Sequence, residues 1–429
     1  MKATSFILLK RIQTMSQFLQ QSTPATRRFL VGVFLNALGA GVTQPIMIVY
    51  LNQVRHISMT TASLVLSWMA ITGLFSSPIF GWLVDRYGPR RIMAGAILLQ
   101  AASTALWSLV HDVKTAYFVG TLVAIGNSGM WPPQATMMAR MVDENDRQKF
   151  FGLQFMMLNL GIGLGGLVSA LIVRVEKPET FTYLYLLDAF SFLVFFVFIL
   201  SLRGVGGRLP AEAHEKEQGS YRDMLRDKRL VRLSLISILL LTSGYASMDA
   251  GLPAMLTTFG GLSVAQLGPI WFVNTSTIVL LQIFMLKKLE GKSRTKLYRV
   301  VGVLWSISWL VLGLGMTDTH WIFIAACVST AIFAVGETVW SPVGSALQNA
   351  IAPEHMRGRY NAVGGIVWVI SGTIGPAFSG IMLERGLALE WLLVIAAAAL
   401  VAGYLGQSLR RYLSDIEDGL VVAADATNS

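Results

Sequence analysis

The sequence predicts an all-α membrane protein with twelve transmembrane helices in two pseudo-symmetric six-helix bundles. Three observations carry this expectation. Charge-free apolar runs of membrane length recur from one end of the chain to the other. Basic residues collect on alternate connections, and the second half of the chain partly repeats the first.

Of the 429 residues, 54% are hydrophobic and 14% charged, against about 25% charged in a soluble domain. Phe29 to Val54, Ile92 to His111, Thr115 to Ala139, Phe150 to Val173, Tyr360 to Leu383 and Trp391 to Leu409 carry no Asp, Glu, Lys or Arg. Each meets or approaches the ~20 residues that cross a bilayer core. A soluble protein can bury one such helix but not a series, so a soluble helical enzyme is excluded. The spans fall at 29–51, 60–83, 92–110, 116–138, 150–173, 181–202, 233–257, 264–286, 300–316, 320–347, 360–383 and 391–409. The implied organisation is an N-terminal extension (1–28), a first bundle (29–202), a linker (203–232), a second bundle (233–409) and a tail (410–429). The extension is basic, but its early apolar run is too short for a signal peptide. The linker, with Gly204-Val-Gly-Gly and a polar run from Glu212 to Ser220, has the composition of a flexible connector.

With both termini on one side, 29 of the 34 Lys and Arg fall on that side. The other side receives only Arg55, Lys114, Arg174, Lys177 and Arg385, and no cation lies inside a span. The positive-inside rule makes the basic side cytoplasmic. It also accounts for the net charge of +10 through anionic lipid headgroups, without nucleic acid. The single cysteine, Cys327, allows no intrachain disulfide and no thiolate metal site.

A shift of 210 residues aligns spans 4–5 with spans 10–11: Gly126 on Gly336, Pro132 on Pro342, Glu144 on Glu354, Arg147 on Arg357, Gly165 on Gly375 and Ser169 on Ser379. The matches are mainly glycines, prolines and loop charges, where backbone geometry is constrained. An even number of spans per half makes the repeat parallel, which brings a substrate site to the interface of the halves near the midplane.

Between spans 2 and 3 the chain reads Gly81-Trp-Leu-Val-Asp85-Arg86-Tyr-Gly88-Pro-Arg90-Arg91. This loop resembles the signature of the major facilitator superfamily, Gly-x-x-x-Asp-Arg-x-Gly followed by two basic residues. Gly81 would permit close helix packing, Gly88 a tight turn, and Asp85 with Arg86, Arg90 and Arg91 a charge cluster at the membrane face. The resemblance implies the major facilitator fold, a loop that latches the halves on the cytoplasmic side, and a cavity lined by spans 1, 4, 7 and 10. Gly161-x-x-x-Gly165-Gly166-x-x-Ser169-Ala170 in span 5 and Gly375-Pro376-x-x-Ser379-Gly380 in span 11 are similar to the motif of the twelve-span drug:proton antiporter branch, with departures. That branch usually carries an arginine in span 4, and this chain has none there, so coupling through such an arginine is not expected. Small residues at this spacing also serve helix packing.

Three acids lie inside spans: Asp188, Asp249 and Glu337. An acid in hydrocarbon is costly, so each is a candidate for proton coupling. Asp188, near the outer entry of span 6, has a competing reading as a packing or solvated residue. Glu337, Trp340, Ser341, Gly344 and Gln348 form one stripe on span 10. Asn127, Trp131, Gln134 and Met138 form its counterpart on span 4, and the two should face each other across the cavity. Span 1 adds Asn36 and Gln44, span 7 Tyr245, and span 8 Asn274 and Gln282. Trp305 and Trp309 read as packing residues.

Acids, amides and aromatic rings without a buried cation favour a neutral or cationic amphipathic substrate over an anion. The expected function is secondary transport: proton-coupled export of drugs or metabolites, from the bacterial inner membrane. The alternative is uptake of a neutral nutrient, and a third reading is a transporter-like sensor or assembly partner without flux. Expected partners are a small-molecule substrate, protons and membrane lipids, with a monomeric chain. No metal-ligand cluster, phosphate-cradling glycine loop or nucleophile triad is present, so no cofactor, metal or enzymatic role is expected.

Overall fold

The computed structural model describes residues 22–142, 144–202, 204, 226–289, 291–316, 321–353 and 357–420. The N-terminal extension before residue 22, most of the linker and the end of the tail lie outside these residues. Among the described residues the chain is helical and strand-free, and eleven helices are long and apolar enough to cross a membrane. The twelfth crossing is span 4, which is broken. Val113–Ser128 and Trp131–Met141 are separate helices, interrupted at Gly129 and Met130 just before Pro132 and Pro133. A Cβ at Gly129 would lie 2.6 Å from Phe80 of span 2 and 2.7 Å from Ala96 of span 3. Close approach of three helices and the prolines together account for the break. Its repeat partner, Pro342, sits inside the continuous helix Ile322–Ile351, so the sequence repeat is not a repeat of helix shape here.

Spans 1 and 7 also depart from α geometry. Span 1 runs as Pro24–Thr43, tightens to a 3₁₀ turn at Gln44–Ile46 around Pro45, and ends in a π turn at Tyr50–Val54. Span 7 begins at Lys228, earlier than expected, and carries a π segment at Thr242–Gly251 before Leu252–Thr258. Such wide turns rotate the side chains that follow and recur at functional sites.

Small residues set the helix crossings, as lipid-embedded packing requires. A Cβ at Gly126 would lie 2.5 Å from Gln100 of span 3, and one at Gly336 2.5 Å from Trp305 of span 9. Gly165 meets the Leu38 carbonyl of span 1 at 2.1 Å, and Gly375 meets Ala246 of span 7 at 2.3 Å. The repeat is thus preserved as a contact pattern in both halves. Trp305 and Trp309 are fully buried, as expected; Trp305 stacks on Phe333 at 4.6 Å and Trp309 donates to the Ser243 carbonyl at 2.7 Å.

The halves meet away from the basic face. Gln53 donates to Thr257 at 3.0 Å, the Thr60 backbone N–H to Glu384 at 2.7 Å, and Ser67 to the Thr373 carbonyl at 2.7 Å. Gly166 and Gly268 bring spans 5 and 8 into backbone contact in the same half of the bundle.

At the basic face the signature loop is a helix–glycine–helix turn: Met59–Tyr87, Gly88 at φ 86°, then a helix from Pro89. Gly88 fills the tight-turn role. Gly81 does not serve close packing, since a Cβ there would meet nothing within 4 Å. Arg86 lies over the Trp82 and Tyr87 rings, and Arg90 donates to the Leu202 carbonyl at the end of span 6. Glu354 and the side chains of Asp85, Glu144, Arg147 and Arg357 lie outside what the structure describes.

The described part of the tail, to residue 420, is tied down. Leu409–Tyr412 turns, and Glu417 and Asp418 fold back on the second bundle. Asp418 is fully buried and accepts from Ser293 at 2.6 Å and the Thr295 N–H at 2.8 Å, capping span 9. Glu417 pairs with Arg229 at 2.7 Å, and Asp227 accepts from the Tyr360 hydroxyl at 2.9 Å.

Candidate functional site

A cavity of about 550 Å³ lies among spans 1, 5, 7, 8, 9, 10 and 11. That volume suits a small-molecule ligand. Its lining reaches from Gln44 and Asp249, at the irregular turns of spans 1 and 7, to Leu230, Gln348 and Asn361 towards the basic face. The 3₁₀ and π turns of spans 1 and 7 bring Gln44 and Asp249 together in this lining, one from each half.

Glu337 sits in the cavity wall, 9% exposed. Asn274 of span 8 donates to its carboxylate at 2.7 Å and to the Thr330 carbonyl at 3.3 Å. The Tyr245 hydroxyl is its second polar neighbour, and Asp249 is the nearby acid. Among the described residues no Lys or Arg lines the cavity, so the acids are held by neutral donors alone. A carboxyl in that setting can exchange a proton or a cationic ligand without first breaking an ion pair.

All five residues of the span 10 stripe line the cavity: Glu337, Trp340, Ser341, Gly344 and Gln348. Gln44, Tyr245, Asp249 and Asn274 join them. Tyr245 is the aromatic hub, 5.2 Å from Trp368, 5.4 Å from Trp305 and 5.9 Å from Phe333 between ring centres.

The span 4 stripe is not part of this wall. Asn127, Trp131 and Gln134 are not among the lining residues. The break at Gly129 and Met130 splits the stripe: Trp131 is 51% exposed and donates to Asn127 at 3.2 Å, whereas Gln134 and Met138 are buried. The 3.6-residue periodicity drawn through all four positions assumed one continuous helix. Among the described residues span 4 therefore contributes nothing to the lining, and the cavity belongs mainly to the second bundle.

Asp188 is buried away from the cavity, between spans 6 and 1. It accepts from Thr43 at 2.6 Å and from Ser191 at 3.5 Å, and Asn36 donates to Ser191 at 3.5 Å. Asn36 is thereby drawn out of the cavity too, and Gln282 does not reach the lining.

Sequence reasoning missed Trp271 of span 8, Asn159 and Phe155 of span 5, and Trp368 of span 11, all in the lining. A signal existed for three. Asn159 is one of two amides in a charge-free run, Trp368 follows the Gly364-Gly365 pair by one helical turn, and Trp271 precedes Asn274 by three residues on one helix face.

The chain is similar to known membrane transporters. Uncharacterized MFS-type transporter YttB of Bacillus subtilis (strain 168) is 24% identical over 386 residues, covering 86% of this chain and 92% of that protein. Multidrug resistance protein 2 of the same organism is 22% identical over 366 residues, covering 83% and 88%. Among solved structures, a POT family transporter in complex with a thioalcohol-conjugated peptide superimposes with a TM-score of 0.74 at 16% identity, covering 90% of this chain and 96% of that one. The family profile described as Major Facilitator Superfamily matches residues 29–376, and with eleven unbroken apolar spans and one broken one this chain is an integral multi-pass membrane protein that belongs to that superfamily.

Proposed function

We propose that the protein is a proton-coupled exporter of neutral or cationic amphipathic compounds, sited in a bacterial inner membrane with its basic face in the cytoplasm. The observation that carries the reading is the cavity wall itself: Glu337 and Asp249 held by amides and a phenol, with Trp271, Trp340 and Trp368 beside them and no cation among the described lining residues. Ring faces and carboxylates attract a cation, and the rings also cover apolar surface. The cavity opens towards the basic face, which the positive-inside rule puts in the cytoplasm, so substrate would enter from within. Relatives named as multidrug resistance proteins fit this chemistry.

Glu337 is the proton-coupling residue in this scheme, with Asp249 next to it. A cationic substrate competes with the proton for one carboxyl, and exchange follows from mutual exclusion. Glu337→Gln keeps the shape and an Asn274 partner but removes the exchangeable charge. Inverted membrane vesicles with an imposed proton gradient should accumulate a cationic dye with the wild-type protein and fail to with Glu337→Gln. Counterflow of preloaded dye, which needs no net proton movement, should survive in part. Gradient-driven accumulation by Glu337→Gln with an unchanged pH profile would overturn the assignment and move it to Asp249. Flux of neutral nutrients without any dye effect would instead support uptake.

A further inference from the structure

A second concavity, of about 360 Å³, lies at the basic face between the start of span 9 and the end of span 12. Lys296, Arg410 and Arg411 are in its lining, and among the described residues no acid is. The nearby carboxylates are already engaged: Glu417 by Arg229, and Asp415 and Asp418 by Arg410. Lys296 and Arg411 are exposed and have no carboxylate partner among the described residues. Other cations of this face are differently placed: Arg90 binds the Leu202 carbonyl, Arg294 the Glu417 carbonyl, and Arg232 lies 3.9 Å over the Tyr412 ring.

We infer that this groove binds the headgroup of an anionic phospholipid, with Lys296 and Arg411 holding the phosphate. Span 9 begins and span 12 ends here, and Tyr404, 55% exposed and approached by Arg299, is of the residue type that marks membrane interfaces. The first turn of span 9 does not make the site, since Asp418 and Ser293 already accept its N–H groups; the side chains do. Gln407 adds an amide for the glycerol or phosphate oxygens. Below the groove the outer faces are apolar. Val300 and Ile307 continue the face of Lys296, and Val401 that of Tyr404, each at least 40% exposed, so acyl chains can lie against both helices. Basic pockets between membrane helices hold acidic headgroups by this chemistry. The closed clasp of Glu417 and Asp418 behind the groove fixes its shape. The inference is independent of the direction of transport or the coupling ion.

Native mass spectrometry of the full-length protein in detergent, titrated with phosphatidylglycerol or phosphatidylcholine, tests it. Wild type should retain phosphatidylglycerol in preference. Lys296→Gln with Arg411→Gln should reduce that preference roughly twenty-five-fold, at about fivefold per cation. Lys114→Gln with Lys177→Gln, on the opposite face, should leave it unchanged. If the double variant does not fold, Arg411→Gln alone, at an exposed helix end, should show the smaller loss. Equal retention of both lipids by wild type, an undiminished preference in the variants, or displacement of the lipid by excess inorganic phosphate would each overturn the proposal.

Discussion

Asp188 and Glu337 are both acids inside apolar helices, but their neighbours differ in kind. Glu337 faces a cavity that a ligand can enter, whereas Asp188 is clamped by Thr43 and Ser191 between two helices. Asp188→Asn keeps an acceptor for the Thr43 hydroxyl. It should change stability by about 1 kcal/mol or less and leave the pH profile of transport as in wild type. Loss of gradient-driven accumulation in Asp188→Asn, at normal expression, would make it a coupling residue after all. Asp227, at the basic face, is a different case again. Partial burial works against its charge, but hydrogen bonds from the Arg229 side chain and backbone and from Tyr360 outweigh it, and its carboxyl is held below the ordinary range. Its ionised form is therefore worth more in the folded state than in the unfolded chain. That contribution is present above the ordinary Asp value of about 3.9 and is lost as the pH falls through the lower, folded value. Asp227→Asn should melt earlier than wild type at neutral pH, and the gap should close in acid. A gap that stays constant down to pH 3 would refute the ionic part of this account.

At the scale of the element, glycines decide how closely helices cross and where span 4 breaks. Gly165 and Gly152 lie on the same helix, Glu144–Ile172, and make opposite predictions. A Cβ at Gly165 would lie 2.1 Å from the Leu38 carbonyl oxygen, while one at Gly152 would meet nothing within 4 Å. Backbone cannot yield as a side-chain end can, so Gly165→Ala should cost about 1–3 kcal/mol. Gly152→Ala should be neutral or slightly stabilising through its better helix propensity. Thermal unfolding of the two variants in one detergent compares them directly, and equal melting temperatures would mean the crossing relaxes freely.

For the whole molecule, the hydrogen bonds between halves whose partners are both described lie away from the basic face. Closing the opposite face while opening the basic one is the inward half of an alternating-access cycle. Joining Gln53 to Thr257 should trap it. With Cys327 replaced, the pair Gln53→Cys and Thr257→Cys, once cross-linked, should bind substrate from the basic face yet carry none across. Transport that persists after complete cross-linking would mean that these residues need not separate.

Much of this was legible in the sequence because the bilayer imposes a one-dimensional rule. Length without charge marks a span, and the distribution of Lys and Arg orders the connections, so span number and the signature loop followed without tertiary information. Span 10 was read in the same way, since one unbroken helix keeps Glu337, Trp340, Ser341, Gly344 and Gln348 on one face. The sequence by itself therefore determined the family, the twelve crossings and half of the cavity wall. Tertiary structure alone decided the rest. The close fit of Gly129 depends on Phe80 and Ala96 of two other helices, the burial of Asp188 depends on Thr43 arriving from another helix, and the capping of span 9 depends on Asp418 more than a hundred residues away. Each is a contact between segments distant in the chain, and periodicity within one helix carries no information about what its neighbour presents.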